Sequence, residues 1–111
     1  MDLVHVGDVA RANILAATAP KSDIAVNIGS GREVDLQSLA LRLARVMGRG
    51  DLITEQRPFG GTSEPRRYAD IAAARRWLNF RPATGLDEGL LDLVSWWRRE
   101  SRQIATPAGA L

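Results

Sequence analysis

Very little of this chain can be strand. Residues 2–6 alternate polar and apolar side chains, residues 24–28 form a second short apolar run, and residues 51–57 a weaker third. Runs this few and this short cannot build the open parallel sheet of a doubly wound nucleotide-binding fold. Helical periodicity dominates instead. Leu86, Leu90, Leu93, Val94 and Trp97 recur on one face of a final helix that starts near Leu86. Asp8 precedes a run from Val9 to about Ala19 that Pro20 ends, with Val9, Ala12, Ala16 and Ala19 near one stripe. Asp35 precedes a helix over residues 36–47 with Leu39, Leu43, Val46 and Met47 on its apolar face, and Gly48 stops it. Asp70 precedes a third helix over residues 71–78. The expected fold is therefore a small mixed α/β domain of short strands and about four helices. It occupies residues 1–102, and residues 103–111 read as a flexible tail.

The 111 residues suit one small domain, with 45% hydrophobic and 25% charged residues. There is no cysteine, which excludes disulfides and thiolate metal sites and suits a reducing cytoplasm. No apolar run approaches the roughly 20 residues needed to span a membrane, and the acidic, strand-like start does not read as a signal peptide. The net charge is only +2. Lys21 is the sole lysine, so the basic residues are nearly all arginine, dispersed and interleaved with acids. With no recognised nucleic-acid motif, a nucleic-acid partner is not expected.

The segments that carry chemistry are few. GSGREV, residues 29–34, has the strand-to-helix setting of a dinucleotide-binding loop but lacks the third glycine, and no acidic residue follows at the expected distance. It reads as a tight turn. Arg57, Arg66 and Arg67 flank a loop of Pro, Gly, Ser and Thr beside Tyr68. Guanidinium forks on such a loop suit a diphosphate, and the ring suits a base or sugar. On the residues alone, the preferred account pairs these arginines with Glu55, Glu64 or Asp70. His5, the only histidine, has no partner for a metal site and no nucleophile to activate, so its role is read as structural. Trp77, Trp96 and Trp97 sit on amphipathic helices and read as core or interface residues; adjacent Trp96 and Trp97 cannot face one side, so one is expected to be exposed or to cover a partner surface.

Taken in order, DLVHVGDVARANILAA, VNIGSGREVDLQSLA, EPRRYADIAAARRWLNFRP and LDEGLLDLVSWWRRE resemble the C-terminal portion of the NAD-dependent epimerase/dehydratase family. These are the extended short-chain dehydrogenases typified by UDP-glucose 4-epimerase. The resemblance covers residues 2–99. It implies the nucleotide-sugar side of such an enzyme, whose other lobe holds NAD and a Tyr-x-x-x-Lys pair. Neither the glycine-rich loop nor that pair is on this chain: Tyr68 is followed four residues later by Ala72. The resemblance thus implies no catalytic and no cofactor-binding residue here, no metal, and NAD only in the intact family. It implies substrate binding through Arg66, with Arg67, Tyr68 and Arg57 nearby, although Thr62-Ser63-Glu64 stands where relatives carry GDV. Met1 stands where relatives carry an arginine that helps bind the nucleotide sugar; if Met1 is the native start, the site is short of one arginine. Gly7 replaces the first aspartate of the family's HVDDVA, and Phe80 the tryptophan of its LLGWxP turn. The expected function is the substrate-side fragment of an NAD-dependent nucleotide-sugar epimerase or dehydratase, inactive alone. The alternative is a non-catalytic nucleotide-sugar-binding or oligomerisation module. Expected partners are a nucleotide diphosphate sugar and either a separate Rossmann-type chain or a second copy.

Overall fold

A computed structural model describes residues 1–55, 57 and 66–105, with side chains through residue 102. Its regular structure, among the described residues, is four helices: α1 (Val6–Ala17), α2 (Leu36–Val46), α3 (Ala72–Leu78) and α4 (Leu86–Ala105). They associate as two pairs, α1 with α3 and α2 with α4. The helical half of the mixed α/β expectation stands and the strand half does not. No strand occurs among the described residues, and segments 2–4, 24–28 and 52–55 carry no regular structure. The physical reason is that alternation specifies a face, whereas a strand also needs a neighbour for its amides and carbonyls. One reciprocal pair of that kind is present: Met1 and Val34 exchange two backbone bonds, both 2.8 Å.

The helix ends follow local chemistry. Asp35 caps α2 by accepting the Ser38 amide at 2.8 Å. At the other end Gly48 takes φ +77°, while its amide reaches the Arg45 carbonyl and the Arg49 amide reaches that of Ala44. A left-handed residue with these paired bonds closes a helix, and glycine adopts it without a Cβ penalty. Asn79 ends α3 in the same left-handed region, φ 51°. α3 starts one residue later than expected, with Ile71 rather than Asp70 at its cap position and no side-chain cap there; Asp70, just before it, accepts the Ala72 amide at 2.9 Å. The bounds of α4 run to Ala105, and the rest of the expected tail lies outside the described residues.

α1 begins earlier than Asp8 suggests. Its cap is His5, whose Nδ1 accepts the Gly7 amide at 3.2 Å. Asp8 lies inside the first turn and is 3% exposed. Its carboxylate accepts the amides of Ala83, at 3.1 Å from each oxygen, and Thr84, at 3.0 Å. Arg11 adds a 2.9 Å contact to Asp8 and also donates to the Arg81 carbonyl. The loop that launches α4 is therefore hung from a buried carboxylate on α1. Burial works against the charge, but the two amides, Arg11 and His5 outweigh it and hold the Asp8 pKa below its ordinary value.

The core is small. Ala12, Ile71, Ala74, Leu78 and Phe80 form it between α1 and α3, with Leu15, Ala19, Val26, Ile28 and Ala69 packed around it. Phe80, in the tryptophan's place of the LLGWxP-like turn, is completely buried. Between α2 and α4, Ala44, Leu90 and Val94 are buried. Arg42 holds Asp87 with two 2.9 Å bonds across that pair, and Arg98 donates to the Met47 carbonyl. The expected α4 face is only half used. Leu90 and Val94 are buried, whereas Leu93 and Trp97 stay more than half exposed.

Two outcomes check this account. Asp8→Ala should cost about 2–4 kcal/mol at neutral pH, because it orphans buried donors. A pKa depressed by folding stabilises above the unfolded value of about 3.9 and is lost as pH falls through the lower folded value. The stability difference between Asp8→Ala and the parent should therefore shrink on acidification below about pH 4, as read by urea melts across that range. Phe80→Ala should cost about 3–5 kcal/mol, measured by the same melts at pH 7.

Candidate functional site

The 29–34 turn shows why it is not a phosphate cradle. Asp2 reaches into it and accepts the Ser30 amide at 2.8 Å, the Ser30 hydroxyl at 2.5 Å and the Gly31 amide at 2.9 Å. The same carboxylate accepts the Ala69 amide at 3.1 Å. The backbone donors that a pyrophosphate would need are already held by a carboxylate. Burial opposes the Asp2 charge, yet the Ser30 hydroxyl and the three amides win, and its pKa lies below the ordinary value. A Cβ at Gly29 would sit 2.7 Å from both Asp2 Oδ2 and Ala69 Cβ. The glycine is there for close packing of three segments, which supports the tight-turn reading.

Arg66 is brought to the far side of this turn. Its Nε donates to Glu33 Oε2 at 2.7 Å, and its guanidinium stands 5.8 Å from the Tyr68 ring centroid. The expected acidic partners of the loop arginines were Glu55, Glu64 and Asp70. Glu33 takes Arg66 instead, from 33 residues away, because the Asp2–Ala69 bond draws residues 66–69 alongside the turn. The hydrogen bond and charge of Glu33 raise the Arg66 pKa, and the same contact lowers that of Glu33. Arg57 pairs with Glu55 at 3.3 Å, as its sequence neighbourhood suggests. Arg67 and Tyr68 are exposed beside Arg66. Thus Arg66, Arg67 and Tyr68 share one edge next to Glu33. The connecting residues 58–65, including the Thr62-Ser63-Glu64 departure, lie outside the described set.

That edge adjoins a cleft of about 760 Å³, whose walls include Ser30, Arg32, Glu33, Arg75, Arg81 and Thr84. Sequence reasoning missed Glu33 and this cleft. No local signal tied Glu33 to Arg66, since the contact depends on the Asp2 junction. His5 sits away from the edge, between Gly7 and Asp92, with Nε2 3.3 Å from Asp92 Oδ2. Its contacts are those of a cap that also touches α4. Both Trp96 and Trp97 are exposed, 48% and 58%, with ring centroids 6.4 Å apart. Neither serves as core, whereas the sequence left only one of the two exposed or facing a partner. Trp77 lies under Lys21 and Arg76, 3.7 and 4.7 Å from its ring centroid.

The family of such a chain emerges from comparison. No protein-family model matches it. By sequence and by fold it is similar to a portion of the extended short-chain dehydrogenase epimerases, consistent with the C-terminal portion indicated by the ordered motifs. Those relatives are UDP-glucose 4-epimerase and related NAD-dependent epimerases. In sequence the chain is 36% identical over 102 residues to the Methanocaldococcus jannaschii protein described as "Putative UDP-glucose 4-epimerase", covering 91% of this chain and 32% of that protein. It is 28% identical over 96 residues to the UDP-glucuronate 4-epimerase of Thermodesulfobacterium geofontis, covering 86% of this chain and 29% of that one. Among solved structures, the Thermotoga maritima UDP-glucose 4-epimerase with UDP-glucose superposes with TM-score 0.75 at 31% identity, over 90% of this chain and 32% of that one. The Bordetella bronchiseptica enzyme WbmF, in complex with NAD+ and UDP, superposes with TM-score 0.74 at 27% identity, over 95% and 30%. The chain therefore spans about a third of the length of the proteins it matches. No helix among the described residues is long and apolar enough to cross a membrane.

Glu33 and Arg66 form an exposed pair, and such pairs contribute little to folding. Glu33→Gln should leave the thermal midpoint unchanged within error. Asp2→Ala, which orphans the amides of Ser30, Gly31 and Ala69, should lower it by several degrees. Differential scanning calorimetry of the two variants separates the junction from the exposed ion pair.

Proposed function

We propose that this chain is the substrate-side part of an NAD-dependent nucleotide-sugar epimerase of the UDP-glucose 4-epimerase type. It binds the diphosphate of a UDP-sugar through Arg66, with Arg57, Arg67 and Tyr68 alongside, and it does not catalyse alone. The observation that carries this reading is the match, over nine-tenths of the chain, to a third of a UDP-glucose 4-epimerase solved with UDP-glucose. The chemistry of the Arg66 edge agrees with it. Arg66 there pairs with the Glu33 carboxylate, and a phosphate makes the same forked contact with a larger charge. Glu33 holds the Arg66 fork in the absence of ligand and competes with phosphate for it. The chain lacks the Tyr-x-x-x-Lys pair, and Asp2 fills its one glycine turn, so hydride and proton transfer belong to groups that this chain does not supply.

A second reading is a module that binds nucleotide sugars or self-associates without chemistry. The exposed Trp96 and Trp97 favour it, because aromatic side chains left in solvent are typical of contact surfaces.

Calorimetric titration with UDP, UDP-glucose and NAD discriminates. The expected result is binding of both UDP species and none of NAD. Arg66→Ala should weaken UDP by about ten- to a hundred-fold, the loss of a charged hydrogen bond. Glu33→Gln should strengthen it, since the competing carboxylate is gone. Equal UDP affinity in all three proteins would place the diphosphate elsewhere.

A further inference from the structure

Several arginines of this chain are satisfied by a carboxylate: Arg11 by Asp8, Arg42 by Asp87, Arg49 by Asp51. Arg32, Arg75 and Arg81 differ. All three are exposed, and among the described residues no carboxylate lies within ion-pair distance of their guanidinium groups. All three line the cleft of about 760 Å³ between the 29–34 turn, α3 and the start of α4.

The carboxylates of the same walls do not answer them. Asp87 is taken by two 2.9 Å bonds from Arg42, and Glu33 is turned to Arg66. On these walls only Glu88 is a carboxylate with no partner among the described residues. The cleft thus carries three uncompensated cations against one uncompensated carboxylate. Like charges gathered in one cleft repel one another and draw in a counter-anion. The volume is that of a small-molecule site.

These arginines also come from backbones that are already fixed. The Arg81 carbonyl accepts from Arg11, and the next amides along, of Ala83 and Thr84, are held by Asp8. The Arg32 amide donates to the Ser30 hydroxyl at 3.1 Å, in the turn that Asp2 holds. The Arg75 amide donates to the Ile71 carbonyl at 2.9 Å in α3. An anion entering the cleft therefore orders three side chains and no loop, which keeps the entropic cost of binding low. Arginine suits a phosphate, because its planar fork meets two phosphate oxygens at once.

We propose that this cleft is an anion site additional to the Arg66 edge, bound by Arg32, Arg75 and Arg81 to a phosphate-bearing small molecule with two or more negative charges. Arg66, Arg67 and Tyr68 are not among its walls. The site goes beyond the reading of the chain as the substrate-side part of an epimerase, and it holds or fails independently of that reading.

The probe is inorganic pyrophosphate, titrated into the full chain and followed by calorimetry and by amide chemical shifts. The background is Glu33→Gln with Arg66→Ala, which removes the edge pair together and leaves no freed carboxylate on the cleft wall. The expected result is one pyrophosphate per chain, with shifts at Arg32, Arg75, Ala83 and Thr84. Arg75→Gln with Arg81→Gln should weaken it at least about tenfold, as lost charged hydrogen bonds do. The helical circular dichroism should stay unchanged, because both side chains are exposed. Glu88→Gln should tighten binding, since the uncompensated carboxylate is gone. Absence of pyrophosphate binding in this background, or an affinity that survives the paired Arg75 and Arg81 substitutions, overturns the proposal. UDP titration of the parent chain reads the Arg66 proposal separately. UDP binding without pyrophosphate binding defeats the cleft and leaves the Arg66 edge; pyrophosphate binding without UDP binding does the reverse.

Discussion

Everything in this small fold hangs from two buried or half-buried carboxylates that are satisfied almost entirely by backbone amides. Asp8 ties the loop before α4 to the first turn of α1, and Asp2 ties the 29–31 turn to the approach of α3. A hydrophobic core of a few alanines, Ile71, Leu78 and Phe80 has too little area to fix loop positions by itself. A carboxylate with several amides does so with direction as well as energy. The helix pairs α1–α3 and α2–α4 would otherwise meet through few contacts, and the Asp8 junction sets their mutual placement.

The candidate site inherits its geometry from this arrangement. Arg66 meets Glu33 because Asp2 draws residue 69 against the 29–31 turn, not because either residue seeks the other along the chain. The resulting edge is polar and exposed, with Tyr68 beside the guanidinium.

How much of this was legible is best judged element by element. Asp35 and Gly48 announced the ends of α2, because a cap and a left-handed stop act within a few residues of themselves. Phe80 and the start of α4 were equally readable. Asp8 misled: a short acceptor before an apolar run looks like a cap, whereas here it sits inside the turn and serves a loop 75 residues away. The expected strands failed for the opposite reason, since pairing partners are not written in a segment's own alternation. Of the site, Arg57 with Glu55 was readable from adjacency. Glu33 was not, because its role is set by a junction between distant segments. Trp96 and Trp97 read as core or interface residues of which only one could face inward, and both stand in solvent. Amphipathic spacing says that a face will be covered, not that this chain covers it.

The meeting of Asp2, Gly29 and Ala69 also bears on the order in which the chain assembles. Closing a loop of 67 residues, the separation of Asp2 and Ala69, costs about 3–4 kcal/mol of chain entropy before any contact repays it. The α2 cap and the α3 turn need no such closure and form from neighbours within a few residues. The junction therefore closes after the helices it joins, and it adds its stability on the native side of the folding barrier. Its loss acts on the rate of unfolding more than on the rate of folding.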